Sequence, residues 1–207
     1  MEPAARHDAG LSPPSAAASV GPLSAGHLEQ LAAARHASRK LRRTAAVARF
    51  SAWSTGILGA ITLLGVLFGD VTSLVLAVAL MAVAVREGWL AGRLALLHTG
   101  APSALAVNQL ALGGIIVVYA AWQLRGVLTS GGLSAVTAPT GDPQVDAMLG
   151  DFGALAQRLT VAFYLVVAVA GGVTTGLMAL YYHSRRAMLD AFVARTPPWV
   201  IQVMRTG

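Results

Sequence analysis

The stretch NQLALGGIIVVYAAWQLRG, residues 108–126, is apolar enough to lie in lipid, although it begins with two side-chain amides. A helix of about 20 residues crosses a hydrocarbon core of about 30 Å, so the stretch predicts a membrane-spanning helix. A lone amide in hydrocarbon is costly. We therefore expect Asn108 and Gln109 to form hydrogen bonds with neighbouring helices.

The composition of the whole chain agrees with a membrane location. Of 207 residues, 56% are hydrophobic and 12% are charged, and the mean hydropathy is +0.64. A soluble domain of this length cannot bury such an apolar excess in one core. The absence of cysteine excludes disulfides and thiolate metal sites. The excess of arginine over lysine and the abundant alanine are typical of a GC-rich bacterial genome, so we expect a bacterial inner-membrane protein.

Four segments are long and apolar enough to cross a bilayer. They are residues 50–69, 71–90, 104–124 and 159–182. The first two segments meet at FGD, residues 68–70. There Gly69 ends one helix and Asp70 can cap the next. The predicted fold class is therefore all-α, an integral membrane four-helix bundle made of two antiparallel hairpins.

The third and fourth spans are joined by a longer loop, residues 125–158, which is rich in Gly, Ser, Thr and Pro. Within this loop, Asp142 followed by Pro143 is typical of a helix start and predicts a short helix. We expect the chain to restart at Gly150 and Asp151 toward the fourth span. The loop is expected on the extracytoplasmic side.

Charge distribution orients the predicted bundle. With both termini on one side, that side holds thirteen of the fifteen Lys and Arg residues, all except Arg125 and Arg158. The positive-inside rule then predicts that both termini are cytoplasmic.

Residues 1–23 have no apolar period and are expected to be disordered. Residues 24–49 predict a basic amphipathic helix. Residues 183–207 predict a cytoplasmic arm in which the chain breaks at TPPWV, where Thr196 can cap a new helix with Pro197 in its first turn.

We expect the two basic arms, residues 24–49 and 183–207, to contact anionic lipid headgroups. Each Lys or Arg near the membrane surface contributes about 1 kcal/mol to the free energy of such binding. The alternative is that these charges only set the topology, and the sequence leaves both interpretations open. No aromatic residues alternate with the arginines, so nucleic-acid binding is not favoured. The predicted headgroup residues are Arg35, Arg39, Arg42, Arg43, Arg49, Arg93, Arg185 and Arg186.

Each span carries a polar pair at about the same depth near its cytoplasmic end. Together these pairs predict an interhelical polar layer, with Arg86 and Glu87 at its outer edge. The predicted layer, which is also a possible pore lining, contains Ser54, Thr55, Glu87, Asn108, Gln109, Thr174 and Thr175.

Small residues four apart in the spans predict close helix packing. Packing within one chain would use most of these positions, and self-association through one of them is an alternative that the sequence leaves open. The positions are Gly65 and Gly69 in span one, Ala84, Gly88 and Gly92 in span two, and Ala168, Gly172 and Gly176 in span four.

No arrangement of side chains in the sequence predicts a metal or cofactor. None of the five histidines lies in the middle of a span or is paired at i,i+4 with another ligand. The motifs NQL, YAAWQL, YYHSRR and ARTPPWV resemble those of uncharacterised bacterial four-span membrane proteins over about residues 35–205. The resemblance implies an inner-membrane setting and no particular activity.

Three functions follow from this organisation as hypotheses. The leading one is a non-catalytic scaffold or accessory subunit that contacts anionic lipids, a membrane protein partner or a second copy of itself. The alternative is an oligomeric channel or small transporter, in which several chains contribute a shared set of polar side chains to a pore. That set is Asn108, Gln109, Gln123 and Thr175. The third hypothesis is a lipid-headgroup-modifying enzyme built around Glu87, His98 and His183.

Overall fold

The computed structural model describes residues 24–68, 70–129 and 141–206, and within them the chain is helical and contains no strand. The described residues form α1 (Ala25–Ala37), α2 (Arg39–Leu63), α3 (Val71–Ala95), α4 (Ala101–Thr129), α5 (Pro143–Arg195) and α6 (Pro198–Thr206), and a 3-10 turn (Leu64–Phe68) extends α2. Four segments, Arg39–Leu67, Val71–Ala95, Ala101–Thr129 and Pro143–Arg195, are long and apolar enough to cross a membrane. This is the pattern of a membrane protein.

The second, third and fourth predicted spans each lie within one long helix, and the described part of the first lies in α2 and the 3-10 turn that extends it. Two helix boundaries differ from the predictions. Helix α5 runs without interruption through Gly150, where a restart was predicted, because one glycine in a helix costs only about 1 kcal/mol. Its 53 residues make it about 80 Å long. The predicted helix over residues 24–49 is two helices, because the Ser38 hydroxyl donates to the Arg35 carbonyl at 3.0 Å at their junction. The predicted disordered tail, residues 1–23, lies outside the described residues.

The hairpin between α2 and α3 is closed by Asp70, whose predicted role as the α3 cap is confirmed. Its Oδ1 accepts a hydrogen bond from the Thr72 amide at 2.9 Å, and its Oδ2 accepts one from the Ser73 hydroxyl. These bonds, chiefly the one from Ser73, hold the pKa of Asp70 below its usual range. Gly69, which was predicted to end the preceding helix, lies outside the described residues.

The long helices pack in chain order, so that α2 contacts α3, α3 contacts α4, and α4 contacts α5. Small residues allow the closest approaches. A Cβ added at Gly65 would lie 2.7 Å from the Cβ of Ser73 on α3. A Cβ added at Gly171 on α5 would lie 2.7 Å from Ile116 on α4. Helix α2 reaches α5 through a hydrogen bond of 3.1 Å between the hydroxyls of Thr44 and Tyr181.

The positions predicted for close packing are not equally tight. Gly88 and Gly172 have ordinary contacts, because an added Cβ would lie 3.9 Å from Ala52 and 3.6 Å from Val117, respectively. At Gly92 and Gly176 an added Cβ would meet nothing within 4 Å. Ala84 is buried and Ala168 is half-buried. Among the glycines of α5, the tightest contact is therefore made by Gly171, one residue away from the predicted series.

The best-packed part of the molecule is the end at which α2 and α4 begin and α3 and α5 end. We call it the basic end, because it carries Arg42, Arg49, Arg93 and Arg185. Helices α1 and α6 contact each other there and join the core of the long helices. Its largest fully buried apolar side chains are Leu41, Leu94, Leu97, Leu105, Tyr182, Leu189 and Val200. Toward the opposite end the buried core shrinks, and many large apolar side chains are exposed along the helices.

Candidate functional site

A cluster of buried polar side chains connects α2, α3 and α4 near the basic end. The Gln109 amide donates from Nε2 to Glu87 Oε1 at 2.6 Å and to the Ser51 hydroxyl at 3.3 Å. Glu87 is fully buried, whereas its neighbour Arg86 is exposed. Glu87 therefore lies at the centre of this cluster and not at the outer edge that the sequence predicted, because α3 turns Glu87 toward α4 and Arg86 away from it.

The adjacent amide of α4 is also used inside the chain. Asn108 is buried, and its Nδ2 donates to the main-chain carbonyl of Val83 on α3 at 3.3 Å. Both amides at the start of the apolar stretch thus bond to α3. Because an amide buried in hydrocarbon without a partner is costly, these bonds account for two polar residues inside a membrane-spanning helix.

Two buried oxygen atoms of this region have no hydrogen-bond partner among the described residues. They are Oε2 of Glu87 and the hydroxyl oxygen of Tyr182 on α5, which is fully buried. A carboxyl oxygen in this position can accept a hydrogen bond, carry a proton or bind a cation. We call the group formed by Ser51, Glu87, Asn108, Gln109 and Tyr182 the polar cluster.

The remaining residues of the predicted polar layer lie elsewhere. Ser54 is half-buried and its hydroxyl donates to a carbonyl of its own helix at 3.0 Å. Thr55 is buried, and Thr174 is exposed. Thr175 is buried and its hydroxyl also donates within its own helix, at 2.8 Å. The structure therefore brings together Glu87 and the two α4 amides, and leaves the four predicted hydroxyl residues, Ser54, Thr55, Thr174 and Thr175, outside their hydrogen bonds.

Sequence reasoning missed two members of the polar cluster. Ser51 lies four residues before Thr55, so both share one face of α2, and this i,i+4 spacing is a signal that could have identified it. Tyr182 gave no such signal, because a tyrosine at the end of an apolar span is typical of the membrane interface.

A second polar contact lies toward the opposite end, between α4 and α5. The Gln123 amide donates to the Tyr119 hydroxyl at 3.1 Å and to the Tyr164 hydroxyl at 3.3 Å. The two tyrosine rings also meet edge to face, with centroids 6.3 Å apart. The donors of Gln123 are thus used within one chain, as are those of Asn108 and Gln109.

At the surface of the basic end, arginines from two helices line one pocket of about 270 Å³, which we call the arginine pocket. Its charged residues are Arg42 and Arg49 on α2 and Arg205 on α6. Arg205 also donates from Nε to the Leu96 carbonyl at 3.0 Å, so it caps the end of α3. The remaining lining residues are Ala45, Ala46, Ala95, Leu96 and Met204.

The positive charge of this end acts on His98, which lies in the connection between α3 and α4. Burial lowers the pKa of His98, and the nearby charges of Arg93 and Arg205 lower it further. Arg93 itself stacks on the Trp89 ring, with the guanidinium carbon 4.8 Å from the ring centroid. Arg93 and Arg205 therefore contribute to one positive region around the end of α3.

The other predicted headgroup residues are spread over the surface of the basic end. Arg35, Arg39 and Arg43 are exposed. Arg185 stacks on the Tyr181 ring at 4.7 Å, and Arg186 forms an ion pair of 3.7 Å with Asp190. Only Arg42 and Arg49 of the predicted set line the arginine pocket, and Arg205 was not in that set.

The residues of the predicted headgroup enzyme differ in their surroundings. Glu87 is buried in the polar cluster, His183 is exposed on α5, and His98 lies beyond the end of α3. In the ranges that the structure describes, no group of three or more His, Asp or Glu residues is arranged to hold a metal ion.

Comparisons with known proteins give no relative from which a function can be transferred. No protein-family model, curated protein or solved structure matches the chain.

Proposed function

We propose that the chain is a multi-pass protein of the bacterial inner membrane, with both termini in the cytoplasm, that acts as a non-catalytic scaffold or accessory subunit. The observation that carries this proposal is an open groove between α1 and the end of α5, with a volume of about 510 Å³. Its walls include Gln30, Ala33 and Ala37 on α1 and Met188, Ala191 and Phe192 on α5. We call it the α1–α5 groove.

The α1–α5 groove has the shape and chemistry of a helix-binding site. Its floor contains the buried side chains Ala34 and Leu41, its α1 wall is mostly alanine, and its α5 wall carries the larger Met188 and Phe192. An amphipathic partner helix can place its apolar side chains against such a surface. An apolar groove exposed to water is typical of an interaction site.

The position of the groove supports a partner outside the lipid. Ala37 precedes Phe50, the start of the first predicted span, by thirteen residues. At 1.5 Å per residue, this corresponds to about 20 Å along the helix. The positive-inside rule favours the cytoplasm for this end, because thirteen of the fifteen Lys and Arg residues fall on its side, all except Arg125 and Arg158.

The proposal is tested by photo-crosslinking from Gln30 in native membranes. The Ala33→Glu variant puts a charge into the groove, whereas Ala32→Glu puts the same charge on the exposed surface of the same helix outside the groove. A discrete adduct is expected in the unmodified chain and in Ala32→Glu, and it should disappear in Ala33→Glu. No adduct, or an adduct that survives Ala33→Glu, would contradict the scaffold proposal.

Transport of protons or small cations is a second candidate, and the polar cluster favours it. Glu87 is a buried carboxyl inside a membrane-spanning helix, and its Oε2 has no partner among the described residues. Ionisable residues in such positions commonly mark ion or proton pathways. A pore lined by the α4 amides has less support, because Asn108, Gln109 and Gln123 use their donors within one chain.

The transport candidate is tested in liposomes with a pH-sensitive dye under an imposed gradient. Glu87→Gln is expected to abolish flux, and Glu29→Gln, which changes an exposed glutamate on α1, is expected to preserve it. Absence of flux in the unmodified protein, or equal flux in both variants, excludes this function. The headgroup enzyme remains a hypothesis from the sequence alone, and no contact between Glu87 and His98 or His183 supports it.

A further inference from the structure

Two cavities on the surface of the molecule share one residue, Arg49. The first is the arginine pocket, and the second is a groove of about 620 Å³ between α2 and α3. We call the second cavity the α2–α3 groove. It is lined by Arg49, Ala52, Trp53, Gly56, Ile57 and Ala60 on α2 and by Met81, Ala84, Val85 and Gly88 on α3. Apart from Arg49, every lining residue is apolar or glycine.

The α2–α3 groove exists because small residues face each other across the two helices. A Cβ added at Gly56 would lie 3.7 Å from the Cβ of Ala84, which is an ordinary contact, so these two small residues leave no large side chain to fill the surface above them. From Arg49 to Ala60 the groove covers eleven residue steps of α2, or about 16 Å. This length is about half of a 30 Å hydrocarbon core, which is the depth of one lipid leaflet.

The arginine pocket continues the groove toward the basic end and supplies uncompensated positive charge. Arg42 and Arg49 are exposed and have no ion-pair partner among the residues that the structure describes. They are seven residues apart, so both lie on one face of α2, two turns from each other. Arg205 adds a third charge from α6. Guanidinium groups are well suited to bind phosphate oxygens through paired hydrogen bonds.

We propose that the arginine pocket and the α2–α3 groove together bind one anionic glycerophospholipid. Its phosphate lies against Arg42 and Arg49, and one acyl chain lies in the groove between α2 and α3. The order of the two cavities matches the order of a lipid, with a charged head at the membrane surface and an apolar chain below it. Trp53, beside the groove, has the amphipathic ring that is favoured near headgroups.

A second helix is a less suitable occupant of the same surface. It would fill the small-residue groove, but it would also cover Arg49 and remove its charge from water without an anion to pair with it. An anionic lipid compensates that charge and fills the groove at the same time. The site develops the lipid contact that the sequence predicts for the basic arms and is independent of the α1–α5 groove, so this proposal and the proposed function fail separately.

The experiment is native mass spectrometry of the full chain, delipidated in mild detergent and titrated with phosphatidylglycerol or phosphatidylcholine. The unmodified chain is expected to bind a single phosphatidylglycerol in preference to phosphatidylcholine. Loss of two arginine contacts in the Arg42→Gln, Arg49→Gln double variant should weaken binding about 30-fold, which corresponds to about 2 kcal/mol. The matched control, Arg125→Gln with Arg158→Gln, removes the same charge from exposed positions of α4 and α5 outside both cavities and should bind as the unmodified chain does.

The acyl-chain part is tested separately. Ala60→Phe places a ring in the α2–α3 groove, and Leu58→Phe places one on the exposed side of the same helix. Only the first should weaken lipid binding, and glycerol phosphate without acyl chains should not displace the lipid at equal concentration. Helical content measured by circular dichroism reports whether each variant is folded.

Four results would overturn the proposal. These are equal binding of the two lipids, unchanged binding in the arginine double variant, no effect of Ala60→Phe, and displacement by glycerol phosphate at equal concentration. A lipid-free dimer that Ala60→Phe dissociates would show instead that a second copy of the chain occupies the groove.

Discussion

Replacing Gln109 by leucine tests whether the polar cluster stabilises the contact between α3 and α4. Gln109 donates to the buried Glu87 carboxyl at 2.6 Å and to the Ser51 hydroxyl at 3.3 Å. Leucine is close to glutamine in size, so Gln109→Leu removes both hydrogen bonds and leaves little cavity. It also leaves Glu87 Oε1 without its amide donor, and Oε2 has no hydrogen-bond partner among the described residues.

The expected loss follows from these contacts. A hydrogen bond to a charged group contributes about 1.5 to 3 kcal/mol, whereas an ordinary one contributes about 1 kcal/mol. In membranes the unfolded helices find other polar partners, which reduces the contribution of interhelical bonds to about 0.6 kcal/mol on average. Because Gln109→Leu leaves a buried carboxyl unpaired, we expect it to lower the free energy of unfolding by about 2 to 3 kcal/mol.

The assay is unfolding in mixed micelles by titration with sodium dodecyl sulfate, followed by circular dichroism, on a double-mutant cycle. Glu87→Met alone leaves the Gln109 amide with only the long bond to Ser51 and is expected to cost about 1 to 2 kcal/mol. The double variant replaces both partners with apolar side chains and should cost about 1 kcal/mol in total, because neither position then carries an unpaired polar group.

The coupling between the two positions decides the outcome. The expected coupling energy between Glu87 and Gln109 is about 2 to 4 kcal/mol, well above the additivity limit of about 0.5 kcal/mol for independent sites. If the two single losses simply add in the double variant, the reasoning is refuted, because Glu87 and Gln109 then stabilise the fold through other contacts.

Two further predictions concern helix packing and the basic end. Gly171→Val should destabilise the contact between α4 and α5 by about 1 to 3 kcal/mol, because an added Cβ would lie 2.7 Å from Ile116, whereas Gly176→Ala should be tolerated, since nothing lies within 4 Å. The same titration compares the two variants, and equal losses would contradict the packing of α5. Arg205→Leu should raise the pKa of His98 toward its usual value, because one of the two charges that lower it is removed, although burial, the larger cause, remains. Proton NMR titration of the imidazole measures this pKa, and an unchanged value would show that Arg205 does not act on His98.

Several features of the fold follow from short stretches of sequence. Spans can be predicted because length and hydropathy are local properties of the chain, and each predicted span overlaps one of the four segments that are long and apolar enough to cross a membrane. The cap at Asp70 and the end of α5 at Thr196 are likewise fixed by neighbouring residues. Proline lacks a backbone N–H, which makes the break before α6 predictable from the sequence. The sequence did not predict that α5 continues through Gly150, because a glycine followed by an aspartate is typical of a helix boundary.

The candidate site was only partly accessible from the sequence. Polar residues near one end of each span were visible, and Glu87, Asn108 and Gln109 were among them. Their pairing was not predictable, because a period of 3.6 residues gives the faces of a helix but not the neighbour that each face meets. Tyr182 was overlooked because a tyrosine at the end of an apolar span is typical of the membrane interface.

The sequence by itself determined that this is an all-helical chain with four segments able to cross a membrane and with arginines concentrated at one end. Hydropathy, chain length and charge order along the chain are sufficient for that. Only the tertiary structure decided that Glu87 meets Gln109, that α6 joins the core of the basic end, and that Arg42, Arg49 and Arg205 line one pocket. These contacts join residues that are distant in the chain, and they depend on how each helix is rotated about its axis, which the packing of small residues fixes.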